Sequence, residues 1–599
     1  MIRTPLRPLA RILDARAKGE NPDAIERENL RIRHEQMRDK ARQRAEGRLL
    51  VLGLCFLCGF GLIGARMGLL AASEPMEPRA HAPGAEILAT RADITDRKGR
   101  ILATNMETFS LYAQPPMMVE PLRAAEALKG IFPELDEERL KRDFTGGKRK
   151  FLWIRKKLSP EQKQAVMDIG EPGLMFGPRE MRLYPNGPVA AHVLGGASFG
   201  REGVHAAEVI GVAGVEKTFD DYLRDPAKGG APLRLSLDLT VQAATERVLY
   251  GGMKLMNAKG AAATLMDVHS GEVIALASLP DFDPNDRPRP PTSGDASDNP
   301  LFNRAVQGVY ELGSTFKIFA AAQAMELGLV NSQTLIDTKG PLRWGKHKIR
   351  DFHNYGPQLT VEKVIVKSSN IGTARLAMMI GAERQRAFLS ELGLTADVPL
   401  EMLEASGGTP LLPPNWSELS AMTISYGHGM SATQLHLAAG YAAIANGGFK
   451  VTPTLVAQEE GAQSRLGPRV MRPEVARAAR EMLYQVVHHK DGTASFGKVN
   501  GYKVGGKTGT ADKPKPRGGY YKDKVIATFA SMFPTDDPKY VLVVTLDEPS
   551  TFILGEERRT AGWTAVPVAA EMITRIAPLL DLRPEVEPGE LPGIVLTGN

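Results

Sequence analysis

The sequence predicts an α+β domain that would carry the chemistry, preceded by a smaller mixed α/β domain and one N-terminal transmembrane helix. Three observations predict it. A charge-free run, LLVLGLCFLCGFGLIGA, occupies positions 49–65. A Pro- and Gly-rich cluster from Asp225 to Pro232 reads as a domain boundary. Beyond it strands come first, helices fill the middle and strands return. That order is expected when one sheet is built from both ends of a domain. The 599 residues are too many for one ordinary domain. An apolar share of 43% and a charged share of 24% are those of a globular protein, not a disordered one.

The first element, residues 1–48, is a polar arm with thirteen basic against eight acidic residues. That excess of five accounts for nearly all of the net charge of +6, so the basicity belongs to the arm and argues against a nucleic-acid partner. Its run from Ala24 to Glu46 reads as a solvated helix or a disordered stretch. The anchor, 49–71, follows. Seventeen helical residues span roughly 25 Å, and Arg66 can snorkel at the far interface to lengthen the span. Residues 73–90 contain one basic residue, Arg79, so the positive-inside rule keeps the N-terminus in the cytoplasm and exports the rest. A 48-residue charged leader is too long for a cleavable signal peptide, despite the small residues of Leu70-Ala71-Ala72. Cys55 and Cys58 lie inside the apolar span and read as lipid-facing residues, not as a redox pair. No histidine spacing suits a metal, and none is expected.

The exported part, expected to divide as 72–228, 229–577 and a tail 578–599, begins with a linker at 73–84. RADITDRKGRILATN (91–105) then reads as a β-hairpin turning at Lys98-Gly99. Residues 105–225 mix short helices and strands. They include a basic run, Lys148 to Lys157, interleaved with Phe151 and Trp153; a solvated face is the expected reading, with polymer binding the alternative. Past the boundary, LRLSLDL alternates as a strand and VQAATERVLYGGMKLM as an amphipathic helix. Residues 261–279 form a hairpin turning at Ser270-Gly271. Strands are expected again at 500–510, 525–533 and 540–547.

Three motifs carry the chemistry. Ser314-Thr315-Phe316-Lys317 opens the apolar-periodic run TFKIFAAAQAMEL, which puts the serine at a helix N-terminus and the lysine one turn later on the same face. A serine hydroxyl needs a base to become a nucleophile. Lys317 could serve if burial and a second cation such as Lys507 depress its pKa. Ser368-Ser369-Asn370 offers a hydroxyl to pass protons and an amide to hold a peptide group, although it also reads as a plain helix cap. Lys507-Thr508-Gly509-Thr510 reads as a strand beside which an extended peptide could add, with the lysine and the threonine hydroxyls binding a terminal carboxylate. Decoys exist for all three. Ser495-Phe496-Gly497-Lys498 sits in a turn-rich stretch, and Ser297-Asp298-Asn299 precedes the nucleophile. Gly501–Thr508 spells a phosphate loop but lacks the following helix.

Together the motifs resemble those of penicillin-recognising serine enzymes. With RADITDRKGRILAT, GVAGVEKTFDDYL, GEVIALASLPDFDPN, NRAVQGVYELGSTFK, KSSNIG, SYGHGMSATQLHLAAGYAAIANGG, DGTA and GGKTGTA, the chain is similar to class B penicillin-binding proteins from Arg91 to Ile576. Leu312 departs from the proline common in that family. The resemblance implies the penicillin-binding transpeptidase fold, an antiparallel sheet with a helical subdomain. It also implies that the preceding domain is an elongated, non-catalytic pedestal of the dimerisation type. It further implies that Ser314 attacks a stem peptide ending in D-Ala-D-Ala, with the Ser314 and Thr510 N–H groups as oxyanion hole. An amine of a second stem would resolve the acyl-enzyme, β-lactams would acylate Ser314, and no cofactor is needed. The long arm, compact pedestal and TLDEP segment (545–549) resemble the division-specific (FtsI-type) members. That implies a septal role in the bacterial inner membrane, a SEDS-type, FtsW-like lipid-II polymerase as partner, and other divisome proteins. The alternatives are an elongation-specific member, a membrane-anchored β-lactam sensor or hydrolase, and an inactive scaffold.

Overall fold

A computed structural model describes residues 7–72, 91–147, 149–199, 209–459, 466–515 and 518–585. The linker expected at 73–84, and the part of the expected tail beyond Glu585, lie outside the described residues.

The N-terminal unit consists of two helices, α1 (Arg7–Ala17) and α2 (Pro22–Ala72). The charged run from Ala24 to Glu46 is therefore helical and continuous with the apolar span. Exposed pairs one turn apart, Arg31–Glu35 at 3.2 Å and Arg42–Glu46 at 2.8 Å, favour that helix by a few tenths of a kcal/mol each. Within α2, Glu46–Met67 is long and apolar enough to cross a membrane, about 33 Å at the helical rise. Its cysteines are exposed.

The second unit opens with the expected hairpin, β1 (Ile94–Thr95) and β2 (Ile101–Ala113). Asp96 shapes the turn by accepting from the N–H groups of Lys98 and Arg100, and Gly99 supplies the positive φ. Helices α3 (Pro121–Ile131) and α4 (Glu137–Thr145) follow. Then come β3 (Leu152–Leu158), α5 (Pro160–Met167) and β4 (Leu174–Leu183), with both strands antiparallel to β2. Leu111, Leu128, Phe132, Phe144 and Leu158 form the core of this layer. After α6 (Ala191–Leu194), β5 (Gly196–Phe199) pairs antiparallel with β6 (Val209–Ala213), which leads into α7 (Gly214–Thr218) and α8 (Asp220–Arg224). A buried ion cluster ties these pieces together. Glu216 accepts from Arg91 at 2.6 Å and from Arg182 at 2.6 Å, and Tyr184 donates to it at 3.3 Å.

The strand expected at LRLSLDL shrinks to β7 (Leu233–Arg234), parallel to β1. Its remaining residues serve the second sheet's flank. Ser236 donates to the Val273 carbonyl, and Asp238 caps α9 (Leu239–Leu255) through the N–H groups of Thr240 and Val241. The ladder ends where the chain changes sheets.

Strands β8 (Gly260–Asp267) and β9 (Val273–Leu279) form the expected hairpin. The middle holds α10 (Lys317–Glu326) and four short strands, β10 (Leu335–Asp337), β11 (Leu342–Trp344), β12 (His347–Ile349) and β13 (Gln358–Thr360). Six more helices follow: α11 (Val361–Val366), α12 (Asn370–Ile380), α13 (Ala382–Glu391), α14 (Glu418–Ser425), α15 (Gln434–Ala445) and α16 (Pro473–His488). The chain closes with β14 (Gly505–Pro514), β15 (Tyr520–Phe533), β16 (Tyr540–Asp547), the small hairpin β17 (Thr551–Ile553) and β18 (Glu556–Arg558), and α17 (Ala565–Ile576). The sheet order is β14-β15-β16-β8-β9, antiparallel throughout. The hairpin β8–β9 from the start of the domain thus joins β14–β16 from its end through the β8–β16 pair, as expected of a sheet built from both ends. Burial along nearly all of β8, β9 and β16 requires cover on both faces. Helices α9 and α17 pack on each other and on the sheet, and wholly buried α15 packs on β8 and β16. Strand β14 is left at the sheet edge.

Candidate active site

Ser314 lies in a 3-10 turn, Gly313–Phe316, that runs directly into α10; the helix the sequence predicted at the serine starts as a tighter turn. The turn is held without the family's proline, because Thr315 Oγ1 donates to the Leu312 carbonyl at 2.8 Å. It also lies flush on the edge strand. A Cβ on Gly509 would sit 2.2 Å from the Leu312 oxygen, and one on Gly313 would sit 2.9 Å from the Thr510 oxygen. Glycine at both positions lets two backbones touch, which brings the half-buried Ser314 beside Thr510.

Lys317, the first residue of α10, is completely buried. Its Nζ donates to the Ser368 hydroxyl at 3.0 Å and to the Ser368 carbonyl. Lys507, equally buried on β14, donates to the same hydroxyl at 3.0 Å. Ser368 Oγ therefore stands between two amines drawn from opposite ends of the domain. Its backbone has φ +62, a left-handed conformation uncommon for serine, which lets both its carbonyl and its hydroxyl meet Lys317. Burial, reinforced by repulsion from Lys507, holds the Lys317 amine well below the usual lysine range, and Asp351 opposes this only in part. Burial also pushes Lys507 down, to about 7. We assign the neutral amine to Lys317, because it suffers both burial and the second cation.

The rest of the second motif is fixed by its surroundings. Ser369 caps α12 by accepting from the Gly372 N–H at 2.9 Å, and donates to Asp351 at 2.7 Å. Asp351 also accepts from the Ile371 N–H at 3.0 Å, while Asn370 donates its amide to the Arg350 carbonyl at 2.9 Å. In the third motif, Thr508 Oγ1 lies 2.8 Å from Thr493 Oγ1, and Thr510 Oγ1 accepts from the Ala561 N–H at 3.0 Å. Both hydroxyls are thus oriented by neighbours. Gly509 supplies the close approach.

The decoys separate from this cluster. Ser297-Asp298-Asn299 belongs to a short exposed turn in which Asp298 pairs with Lys259 at 2.9 Å. Ser495 begins a single 3-10 turn, with no α-helix to present Lys498. Lys507 continues into strand, so the phosphate-loop spelling has no helix behind it. Sequence reasoning gave no role to Asp351, Thr493 or Gly427. The last two lie inside quoted segments, DGTA and SYGHG; Asp351 had no motif to mark it.

Residues 261–573 match the penicillin-binding protein transpeptidase domain, and residues 86–230 match the penicillin-binding protein dimerisation domain. The chain belongs to the penicillin-binding protein transpeptidase family. Among its relatives is the probable peptidoglycan D,D-transpeptidase FtsI of Caulobacter vibrioides, 33% identical over 569 residues that cover 93% of each chain. The peptidoglycan D,D-transpeptidase FtsI of Escherichia coli K12 is 26% identical over 534 residues, 84% of this chain and 85% of that one. Among solved structures, penicillin-binding protein 3 of Mycobacterium tuberculosis complexed with aztreonam superposes with a TM-score of 0.61. It is 25% identical and covers 83% of this chain and 98% of its own. In this family member the dimerisation-domain match contains the β2–β3–β4 layer, and the transpeptidase-domain match contains all three motifs.

Proposed function

We propose that the chain cross-links septal peptidoglycan, anchored by residues 49–71 in the inner membrane with residues 1–48 cytoplasmic and the catalytic domain periplasmic. It is a peptidoglycan D,D-transpeptidase of the FtsI/PBP3 type and a β-lactam target. The observation that carries the mechanism is the Lys317–Ser368–Lys507 chain of hydrogen bonds, with Lys317 opening the helix that the Ser314 turn runs into.

Ser314 Oγ gives its proton to the neutral Lys317 amine and attacks the carbonyl of the penultimate D-Ala. The N–H groups of Ser314 and Thr510 receive the oxyanion. As the C–N bond breaks, the proton passes through Ser368 to the departing D-Ala nitrogen. The donor peptide lies along the β14 edge, with Asn370 near its backbone and its terminal carboxylate held by Lys507, Thr508 and Thr510. That carboxylate favours the charged form of Lys507, which in turn keeps Lys317 neutral. An amine of a second stem then attacks the acyl-enzyme, forming the cross-link and freeing Ser314. Residues 72–228 serve as pedestal and 229–577 as transpeptidase. A SEDS-type, FtsW-like polymerase and other divisome proteins are the expected partners.

Intact-mass spectrometry of the full chain in detergent, after a labelled penicillin, tests the chemistry. One stable adduct on Ser314, absent from Ser314→Ala, is expected. Rapid release of hydrolysed antibiotic would instead assign a hydrolase. Depletion in the source bacterium tests the septal role: filaments with unfinished septa are expected, whereas rounded cells would assign elongation.

A further inference from the structure

The basic run at 148–157 is the one sequence feature that this function does not absorb. Strand β3 carries its Arg155-Lys156-Lys157 part beside a cleft of about 420 Å³, bounded by the end of β4, Ala197 to Phe199 of β5, Val209 of β6 and the Pro284-Asn285 segment. Four cationic side chains line the cleft, Arg155, Lys156, Lys157 and Arg182, and among the described residues no carboxylate does.

These cations are not equivalent. Arg155 is paired with Glu134 at 2.7 Å. Lys156 and Lys157 are exposed: the first lies 5.9 Å over the Phe199 ring and the second, among the described residues, donates only to the Asn285 carbonyl at 3.3 Å. Arg182 is buried and satisfied at two nitrogens, by Glu216 and Asn105, while its Nη2 has no hydrogen-bond partner among the described residues. An unmatched guanidinium donor at the wall of a cation-lined cleft is an acceptor site. Further along β3 from the lining residue Ile154, Trp153 is 44% exposed and Phe151, just before the strand, 45%, their rings 5.0 Å apart and edge to face. Tyr112 stacks on Phe151 at 5.1 Å and Arg179 lies 5.4 Å over the Trp153 ring, and the rest of both rings stays exposed near two lysines that no described carboxylate pairs.

We propose that this pedestal cleft binds the glycan strand of the polymer the enzyme cross-links. Lys156, Lys157 and Arg182 take carboxylate or carbonyl oxygens of a stem peptide, and Trp153 supports the C–H face of a sugar ring. The proposal rests on the transpeptidase reading, because it takes as ligand the anionic, sugar-bearing polymer which that reading supplies. Its role is to hold a strand away from Ser314, so that neighbouring stems are delivered repeatedly without full dissociation.

The test uses the full chain in detergent, first acylated with penicillin so that the serine site is blocked. Binding of fluorescently labelled, uncross-linked glycan strands bearing pentapeptide stems is followed by anisotropy, beside neutral N-acetylglucosamine oligomers. Lys156→Gln combined with Lys157→Gln is expected to weaken strand binding about 10-fold and to flatten its salt dependence. Trp153→Ala should weaken both ligands. The rate of penicillin acylation should not change in either variant. Strand binding that is equal in wild type and variants, or no tighter than that of the neutral oligomers, would overturn the proposal. Failure of penicillin to label Ser314 would overturn the transpeptidase reading instead, so the two failures are distinguishable.

Discussion

Replacing Lys317 with methionine is expected to slow acylation by penicillin about 10²–10⁴-fold, the range for loss of a general base, while the antibiotic still binds. Methionine keeps the buried volume and removes only the amine. In the wild type the rate should fall as pH drops through the depressed pKa of Lys317, because protonation removes the lone pair that accepts the serine proton. The variant should lose that acid limb. A variant retaining both rate and limb would move the base elsewhere, with Ser368 and Lys507 the remaining candidates.

The same substitution has an opposite effect on stability. Lys317 and Lys507 both have folded-state pKa values below those of the unfolded chain. Between the folded values and about 10.4 the unfolded state binds more protons, so stability rises with pH across that window and the deficit is greatest at its acidic end. Lys317→Met should therefore unfold at a higher temperature than wild type at neutral pH, and the two curves should converge toward pH 10. A buried amine that costs stability at working pH is the usual mark of a group kept for chemistry.

What was legible in the sequence follows the range of the interactions involved. The hairpin at 261–279 and the strands near 505, 525 and 540 announced themselves through local alternation and turn residues. A sheet shared between both ends of the domain follows from the strands-helices-strands order, but the pairing of β16 with β8 and not with the free edge of β9 does not. LRLSLDL misled because alternation reports one buried face, which a chain crossing between two sheets can present without a ladder. The polar arm looked equally compatible with disorder, for its helix buries little and rests on exposed charge pairs. At the site, the residue types were readable but the meeting point of two lysines on Ser368 was not. It depends on the positive φ of Ser368 and on contact between segments 139 positions apart. Asp351 was invisible for the same reason, as it reaches Ser369 and Ile371 only when a loop folds onto the α12 cap.

Gly427→Ala should cost about 2–3 kcal/mol and lower acylation about 10²-fold, although Gly427 carries no side chain and follows Tyr426 at the end of α14. Its carbonyl accepts from the Gly313 N–H at 3.2 Å, and its φ is +85. An added Cβ would lie 1.8 Å from the Gly313 oxygen and 2.6 Å from the Gly313 Cα. The nucleophile turn cannot simply retreat, because Thr510 stands against Gly313 on its other side. The turn would have to slide along β14, carrying Ser314 out of register with the Thr510 N–H and with Lys317. Gly447→Ala provides the control. Gly447 has nearly the same conformation, φ +87, at the end of α15, with nothing within 4 Å of an added Cβ. It should lose about 1 kcal/mol from backbone strain alone and acylate at the wild-type rate. Thermal unfolding and stopped-flow acylation of the two variants separate strain from contact. Equal acylation rates would show that the Gly313–Gly427 contact does not position the serine.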